Sequence, residues 1–130
     1  MDEMRVSPNG RWMAFGTQMS ARQEVYVMPL PATGERIQVS VAGGVSPRWR
    51  DDGRELFFLD SDGRLMAARI TYANERLEFT RPVALFESPL DEVADNLDHY
   101  APGPGGKTFL FRVPVSQPEG RSTILVNWFQ

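Results

Sequence analysis

Four arginines lie close together in the sequence around two predicted hairpins, and their side chains are well suited to bind a charged ligand. They are Arg48, Arg50, Arg54 and Arg64. A guanidinium group binds a carboxylate through two parallel hydrogen bonds, so this set predicts a channel mouth that holds an anionic peptide or carboxylate ligand. The alternative, which the sequence favours, is that these arginines pair with acidic residues across neighbouring strands. Those acidic residues are Asp51, Asp52, Glu55 and Asp62.

His99 is the single histidine of the chain, and it stands beside Tyr100 at a predicted strand start. One histidine cannot build a metal site from several imidazoles, and without cysteine there is no thiol nucleophile and no Cys-type zinc site. A Ser-His-Asp triad is formally available, but no Gly-x-Ser-x-Gly motif accompanies it. We therefore expect a structural or loop position for both residues, keep both as candidate binding residues, and expect no enzyme activity, metal or cofactor.

Two further polar segments resemble ligand loops only in part. Asp60-Ser61-Asp62-Gly63 opens like a calcium loop but lacks the later oxygen ligands and the closing glutamate. Gly103-Pro104-Gly105-Gly106 is rich in glycine but lacks the Lys-Ser/Thr pair of a phosphate loop. Both are predicted to be turns.

The composition is that of one soluble domain with a core. The chain has 130 residues, of which 42% are hydrophobic and 24% are charged. Its formal net charge of −3 gives no electrostatic reason to expect nucleic acid. No apolar run approaches the ~18 residues that span a bilayer, and the start lacks the apolar core of a signal peptide. Periplasmic or extracytoplasmic and cytoplasmic locations both stay open, and we expect the chain to be a piece of a longer protein.

Three segments share one pattern, which is a turn residue, a glycine, a cation, one variable position and three mostly apolar residues. The segments are 6–15, 49–58 and 102–111. Their glycines, Gly10, Gly53 and Gly106, are 43 and 53 positions apart. The first spacing is typical of a four-stranded propeller blade of about 40–45 residues, and the second requires an insertion of about ten residues.

The second copy predicts a strand, a tight turn and a strand. Asp52-Gly53 is a favoured two-residue hairpin turn because glycine adopts positive φ without steric cost. Leu56-Phe57-Phe58-Leu59 is a continuous apolar run, which is typical of a strand covered on both faces. The aromatic residues Trp12, Trp49, Tyr26 and Phe58 are predicted to pack between blades.

We predict an all-β fold, an antiparallel β-propeller segment of about three four-stranded blades. The approximate blades are 2–42, 43–88 and 98–130, with an acidic insertion at 89–98 that is either a solvated loop or one or two turns of helix.

The motifs resemble the TolB-like β-propeller repeat of bacterial propeller proteins, in which Ser-Pro-Asp-Gly and a cation precede an apolar strand. The first copy reads Val6-Ser7-Pro8-Asn9-Gly10-Arg11, and residues 100–107 form a degenerate copy. The wider chain is also similar to C-terminal propeller segments of bacterial proteins, some of which carry a Ser/Thr kinase domain upstream. The resemblance implies six blades, and this chain is expected to supply half of them. The other half is expected either from a second copy of the chain or from blades that lie upstream in a longer parent protein.

The sequence leaves three functional hypotheses. The first is a non-catalytic scaffold that binds a protein or peptide, with self-association of two copies into a closed six-bladed ring. The second is an accessory propeller piece of a larger kinase- or peptidase-linked enzyme. The third is a small-ligand or carbohydrate site at a blade interface, and fold alone does not separate the three.

Overall fold

The computed structural model describes residues 3–18, 22–73, 76–88, 100–114 and 121–127. These residues form three antiparallel sheets that follow one another along the chain. No helix among them is long and apolar enough to cross a membrane. The predicted insertion at 89–98 lies outside the described residues.

The first sheet has four strands in chain order. They are β1 (Glu3–Val6), β2 (Trp12–Gln18), β3 (Gln23–Pro29) and β4 (Ile37–Gln38). Each strand pairs antiparallel with the next, and one short turn connects β1 to β2. This up-and-down order is the connectivity of a propeller blade.

The second sheet has five strands. They are β5 (Val45–Trp49), β6 (Glu55–Leu59), β7 (Arg64–Ala73), β8 (Arg76–Phe79) and β9 (Val83–Glu87). The ten-residue β7 pairs with β9 along its first half and with β8 along its second half. The sheet therefore carries one strand more than the predicted four.

The third sheet contains three strands in the part of the chain that is described. They are β10 (Tyr100–Pro102), β11 (Thr108–Pro114) and β12 (Arg121–Asn127). The prediction of an all-β, antiparallel propeller segment is confirmed, with sheets of four, five and three strands in place of four in each.

The same turn joins the first two strands of every sheet. In the second sheet the Arg50 N–H donates to the Glu55 carbonyl at 2.9 Å and the Gly53 N–H donates to the Arg50 carbonyl at 2.8 Å. The loop between this closing pair therefore has four residues, and the predicted two-residue turn at Asp52-Gly53 is wrong. Asp52 does not adopt positive φ, whereas Gly53 does, at +75°. The glycine supplies the left-handed residue that brings the longer loop back into register.

The two other copies repeat this hydrogen-bond pattern. The Ser7 and Gly103 N–H groups donate to the carbonyls of Trp12 and Thr108 at 2.8 and 2.7 Å. Gly10, Gly53 and Gly106 all adopt positive φ. The three turns therefore have the same form, and each joins the first two strands of its sheet in the same register.

Two apolar layers hold the sheets together. β6 is buried along its whole length, as the apolar run predicts. Leu56 and Phe58 pack against the first sheet, while Phe57 and Leu59 pack against the third. The ring centroids of Phe57 and Phe109 lie 5.0 Å apart, edge to face, within the second layer.

The predicted aromatic core is present with one exception. Phe58 is buried, and Trp12 and Trp49 pack at the margin of the same layer. Tyr26 is half-buried and stacks on Phe15 at 5.8 Å. Side chains alternate along β3, so Tyr26 points away from the second sheet, onto the face of the first sheet that carries Met4, and its packing between blades stays a prediction.

The third turn provides a direct test of the junction between the second and third sheets. Gly105 and Gly106 both have positive φ, but an added Cβ would meet nothing at Gly105 and would lie 2.8 Å from the Phe57 ring at Gly106. We expect Gly105→Ala to lower the free energy of unfolding by about 1–2 kcal/mol through backbone strain alone. Gly106→Ala should cost measurably more in urea unfolding, because it adds a clash in the core. Equal losses would contradict this junction.

Candidate functional site

Arg50 forms an ion-pair network inside the second turn. Its Nε and Nη2 atoms donate to both carboxylate oxygens of Asp52, at 2.7 and 2.5 Å, and its Nη1 donates to Glu55 Oε1 at 2.7 Å. The hydrogen bond from Arg50 lowers the pKa of Asp52 from 3.8 to about 2, and the same bond raises the pKa of Arg50. The guanidinium of Arg50 is therefore already paired with two carboxylates within this hairpin.

Arg64 forms a second network in the loop between β6 and β7. Its Nε donates to Asp60 Oδ2 at 3.0 Å and its Nη2 donates to Asp62 Oδ2 at 3.1 Å. Asp60 Oδ1 also accepts the backbone N–H groups of Asp62 and Arg64, at 3.0 and 2.9 Å. The segment that opens like a calcium loop is thus a hairpin turn, as predicted, closed by its own arginine.

Arg48 and Tyr100 lie at the junction of the second and third sheets. Both are buried, at 7% and 4% exposure, and the Arg48 guanidinium lies 5.6 Å from the centre of the Tyr100 ring. The Tyr100 hydroxyl donates to the Ser46 carbonyl at 2.9 Å. Ser46 has a φ of +55° beside a β-bulge, so the contact fixes an irregular part of β5. His99 lies outside the described residues.

The predicted site residues therefore do not form one site. Arg50 and Arg64 lie in consecutive hairpin turns, which are at opposite ends of β6. Arg64 pairs with acids of its own turn, whereas Arg50 pairs with Asp52 of its turn and with Glu55 at the start of the neighbouring strand, as the favoured alternative predicts. Asp51, one of the predicted ion-pair partners, instead accepts the backbone N–H of Gly105 at 3.2 Å. A binding role for these residues stays a prediction.

Arg54 differs from the other candidates because it lines a cleft. The cleft has a volume of about 460 Å³ and lies between the first turn and the second. Arg11, Trp12, Ile70 and Leu77 also line it. A second hollow of about 320 Å³ shares Trp12 and Leu77 with it and extends toward β4. The two hollows are neighbours on the junction of the first two sheets.

Arg11 and Leu77 are candidate site residues that were not predicted from the sequence, whereas Trp12 was predicted to lie between blades. The signal for Arg11 was present, since it occupies the cation position of the repeat that Arg54 occupies in the second copy. What the sequence did not show is that the gap between two adjacent turns opens as a cleft with both cations at its rim.

A buried carboxylate, that of Glu24 on β3, contacts the segment that connects β4 to β5. Glu24 is 4% exposed, and it accepts from the Ser40 hydroxyl at 2.5 Å, the Gly43 N–H at 3.0 Å and Arg22 Nε at 2.8 Å. The donors lie directly before β3 and in the segment between β4 and β5, so we assign this arrangement a structural role. Within the described ranges, no group of three or more His, Cys, Asp or Glu side chains is placed to hold a metal ion.

The Arg50–Asp52 pair predicts a pH-dependent contribution to stability. The pKa of Asp52 is lowered in the folded chain, so its stabilisation is present above about pH 4 and is lost as the pH falls toward 2. Asp52→Asn keeps an acceptor for the Arg54 N–H but removes the charge. The side chain is 40% exposed, so we expect a loss of less than about 1 kcal/mol at pH 6 and a smaller loss at pH 2, where Asp52 of the folded chain is about half protonated, from urea unfolding at both values.

The Arg50→Gln background supplies the control for that measurement. Without the guanidinium, the effect of Asp52→Asn should no longer vary with pH. A loss that is as large at pH 2 as at pH 6, or a pH dependence that survives in the Arg50→Gln background, would contradict this origin.

The comparisons with known proteins concern the fold. No protein-family model and no curated protein matches the chain. Among solved structures it is similar to the crystal structure of TolB from Acinetobacter baumannii, with a TM-score of 0.59 and 19% sequence identity over 96% of this chain. The match covers 29% of the TolB chain, so this chain spans less than a third of that length. The three sheets have the fold of a segment of a TolB-like β-propeller.

Proposed function

We propose that the chain is a non-catalytic, protein-binding propeller module, and that two copies associate head to tail to complete a six-bladed ring. The TolB-like fold supports a protein-binding module in general terms. The observation that supports self-association is the apolar character of the two outer flanks, the face of the first sheet that points away from the second and the corresponding outer face of the third.

The flank of the third sheet carries Leu110. In the repeat, Leu110 occupies the position of Ala14 in the first sheet and Phe57 in the second. Those two residues are fully buried, because each faces the next sheet along the chain, whereas Leu110 is 45% exposed. Phe109 and Phe111 pack on the second sheet, so the alternation of β11 points Leu110 the other way. Leu110 therefore lies where a following blade would pack.

The flank of the first sheet carries Met4 and Val6, which are 54% and 55% exposed. Met4 occupies the repeat position of Tyr100, which is buried against the second sheet at 4% exposure. Val6 occupies the position of Trp49, whose indole N–H donates to the Arg5 carbonyl of the preceding sheet at 2.8 Å. The two exposed residues therefore lie where a preceding blade would pack.

The two flanks can pack against each other in the way that neighbouring blades of a propeller do. Among the described residues, one flank has no following blade packed on it and the other has no preceding blade, so the first flank of one copy can receive the second flank of another. Three blades in each copy complete the six that the TolB-like fold implies, and a two-fold axis makes both interfaces equivalent. Exposed apolar faces of this kind favour association.

Single substitutions on the flanks test the proposal. Light scattering on a sizing column should give twice the chain mass of 14.7 kDa for the unaltered protein. Leu110→Asp and Val6→Asp should each give the monomer mass, because a charge buried at an unpaired site opposes association. Val83→Asp is the matched control, since Val83 is 59% exposed on β9 and its substitution should leave the dimer intact.

Mixing the two flank variants then identifies the head-to-tail geometry. A Val6→Asp copy still has its third-sheet flank, and a Leu110→Asp copy still has its first-sheet flank, so one unaltered interface can form between them. We expect the equimolar mixture to recover dimer that neither variant forms alone. A monomer for the unaltered chain, or a mixture that stays monomeric, would overturn the proposal.

A further inference from the structure

We propose that the cleft between the first and second sheets binds an extended acidic segment of a partner protein, in which acidic and aliphatic side chains alternate. This inference deepens the proposed protein-binding function and rests on it. It concerns a surface distinct from the two flanks, because the cleft is formed within one copy of the chain.

The floor of the cleft is apolar and firmly held. Leu77 is 7% exposed and belongs to the layer between the two sheets, and Trp12 and Ile70 pack against the same layer. Trp12 is half-buried, so part of its indole faces the cleft. A rigid aromatic and aliphatic floor suits the aliphatic side chains of a bound peptide at a low entropic cost.

The rim of the cleft is cationic. Arg11 and Arg54 are exposed, and neither guanidinium makes a hydrogen bond or ion pair with any described residue. Asp52 also lines the cleft, but Arg50 binds both of its carboxylate oxygens. Arg11, Arg54 and Asp52 are the charged residues of the cleft lining, so two cations against one anion give it a net charge of +1, in a chain whose formal net charge is −3.

The turn chemistry explains why these two arginines stay available. The side chains of Asn9 and Asp52 accept the backbone N–H groups of Arg11 and Arg54, at 3.0 and 2.9 Å. Each turn is thus closed through the backbone of its arginine. The guanidinium groups are not needed for folding, and they match the carboxylates of an acidic ligand.

The shape of the two hollows favours an extended peptide. The second hollow adjoins the cleft at Trp12 and Leu77 and reaches Ile37 on β4, and it adds one cation and one anion, Arg36 and Glu35, to the lining. In an extended chain, alternate side chains point in opposite directions. A peptide that alternates acidic and aliphatic residues can therefore face the arginines with one set and the apolar floor with the other.

Calorimetric titration with two synthetic peptides tests the proposal. The probe is acetyl-Glu-Leu-Asp-Leu-Glu-Leu-amide, and its neutral counterpart has glutamine and asparagine at the acidic positions. We expect the acidic peptide to bind and the neutral peptide to bind at least roughly tenfold more weakly, since each charge-assisted hydrogen bond lost costs about that factor.

Variants of the chain locate the site. Arg11→Ala and Arg54→Ala should each weaken binding of the acidic peptide by roughly tenfold. Lys107→Ala is the matched control, because Lys107 is the exposed cation at the same repeat position of the third turn and does not line the cleft. It makes the same change in net charge and should leave the affinity unchanged. Circular dichroism should show that all three variants fold.

Three results would overturn the proposal: no binding of the acidic peptide, equal binding of the neutral peptide, or an equal loss in Lys107→Ala. The monomeric Leu110→Asp variant separates this inference from the self-association proposal. It should bind the acidic peptide as tightly as the unaltered chain, so loss of the dimer and loss of the cleft site are read from different measurements.

Discussion

The structure depends on the packing of one sheet face against the next. β6 shows the constraint most clearly, because all five of its residues are buried and successive side chains enter different layers. Leu56 packs toward the first sheet and Phe57 toward the third. A strand of this kind is stable only when its sheet has a neighbour on both sides. The second sheet meets that condition within one chain, whereas the first and third each leave one apolar face without a described neighbour.

The repeated turns set the spacing at which those faces meet. Gly53 lies against Pro8 of the preceding turn, and Gly106 lies against Phe57 and Arg50. Asp51 adds a side-chain contact by accepting the Gly105 N–H. The same geometry that aligns the sheets also places a cation after each turn glycine on one face of the molecule. The repeated turn segment therefore determines both the spacing of the sheets and the positions of these surface cations.

The fold could be predicted from the sequence because its determinants are local. The glycine and the apolar run recur together at blade spacing, and the short length of the run favours a strand over a buried helix. The loop length at Gly53 was wrong because Asp-Gly favours a two-residue turn in isolation, while Asp52 here bonds the Arg54 N–H and stabilises a four-residue loop. The sequence did not show on which face of β3 Tyr26 lies, because an aromatic residue suits either face, and its neighbours Val25 and Val27 occupy the face toward the second sheet.

The candidate site was less predictable, because it depends on distances between segments. Arg48, Arg50 and Arg64 are near one another in sequence, yet each is engaged at a different place in the fold. Arg11 and Arg54 are far apart in sequence and line one cleft, because the sheets are adjacent and their turns equivalent. Nearness in the sequence was enough to predict ion pairs within a hairpin. Prediction of the cleft would have required knowledge of how two copies of the repeat stack.

The most direct test of the account is small-angle X-ray scattering over a range of protein concentrations. If two three-bladed copies close into a ring, the radius of gyration should approach about 18 Å, as expected for a compact assembly of twice 130 residues. The distance distribution should be that of a flat disc. A radius near 14 Å at every concentration, the value for one compact copy, would show that the apolar flanks remain open and would contradict the central claim.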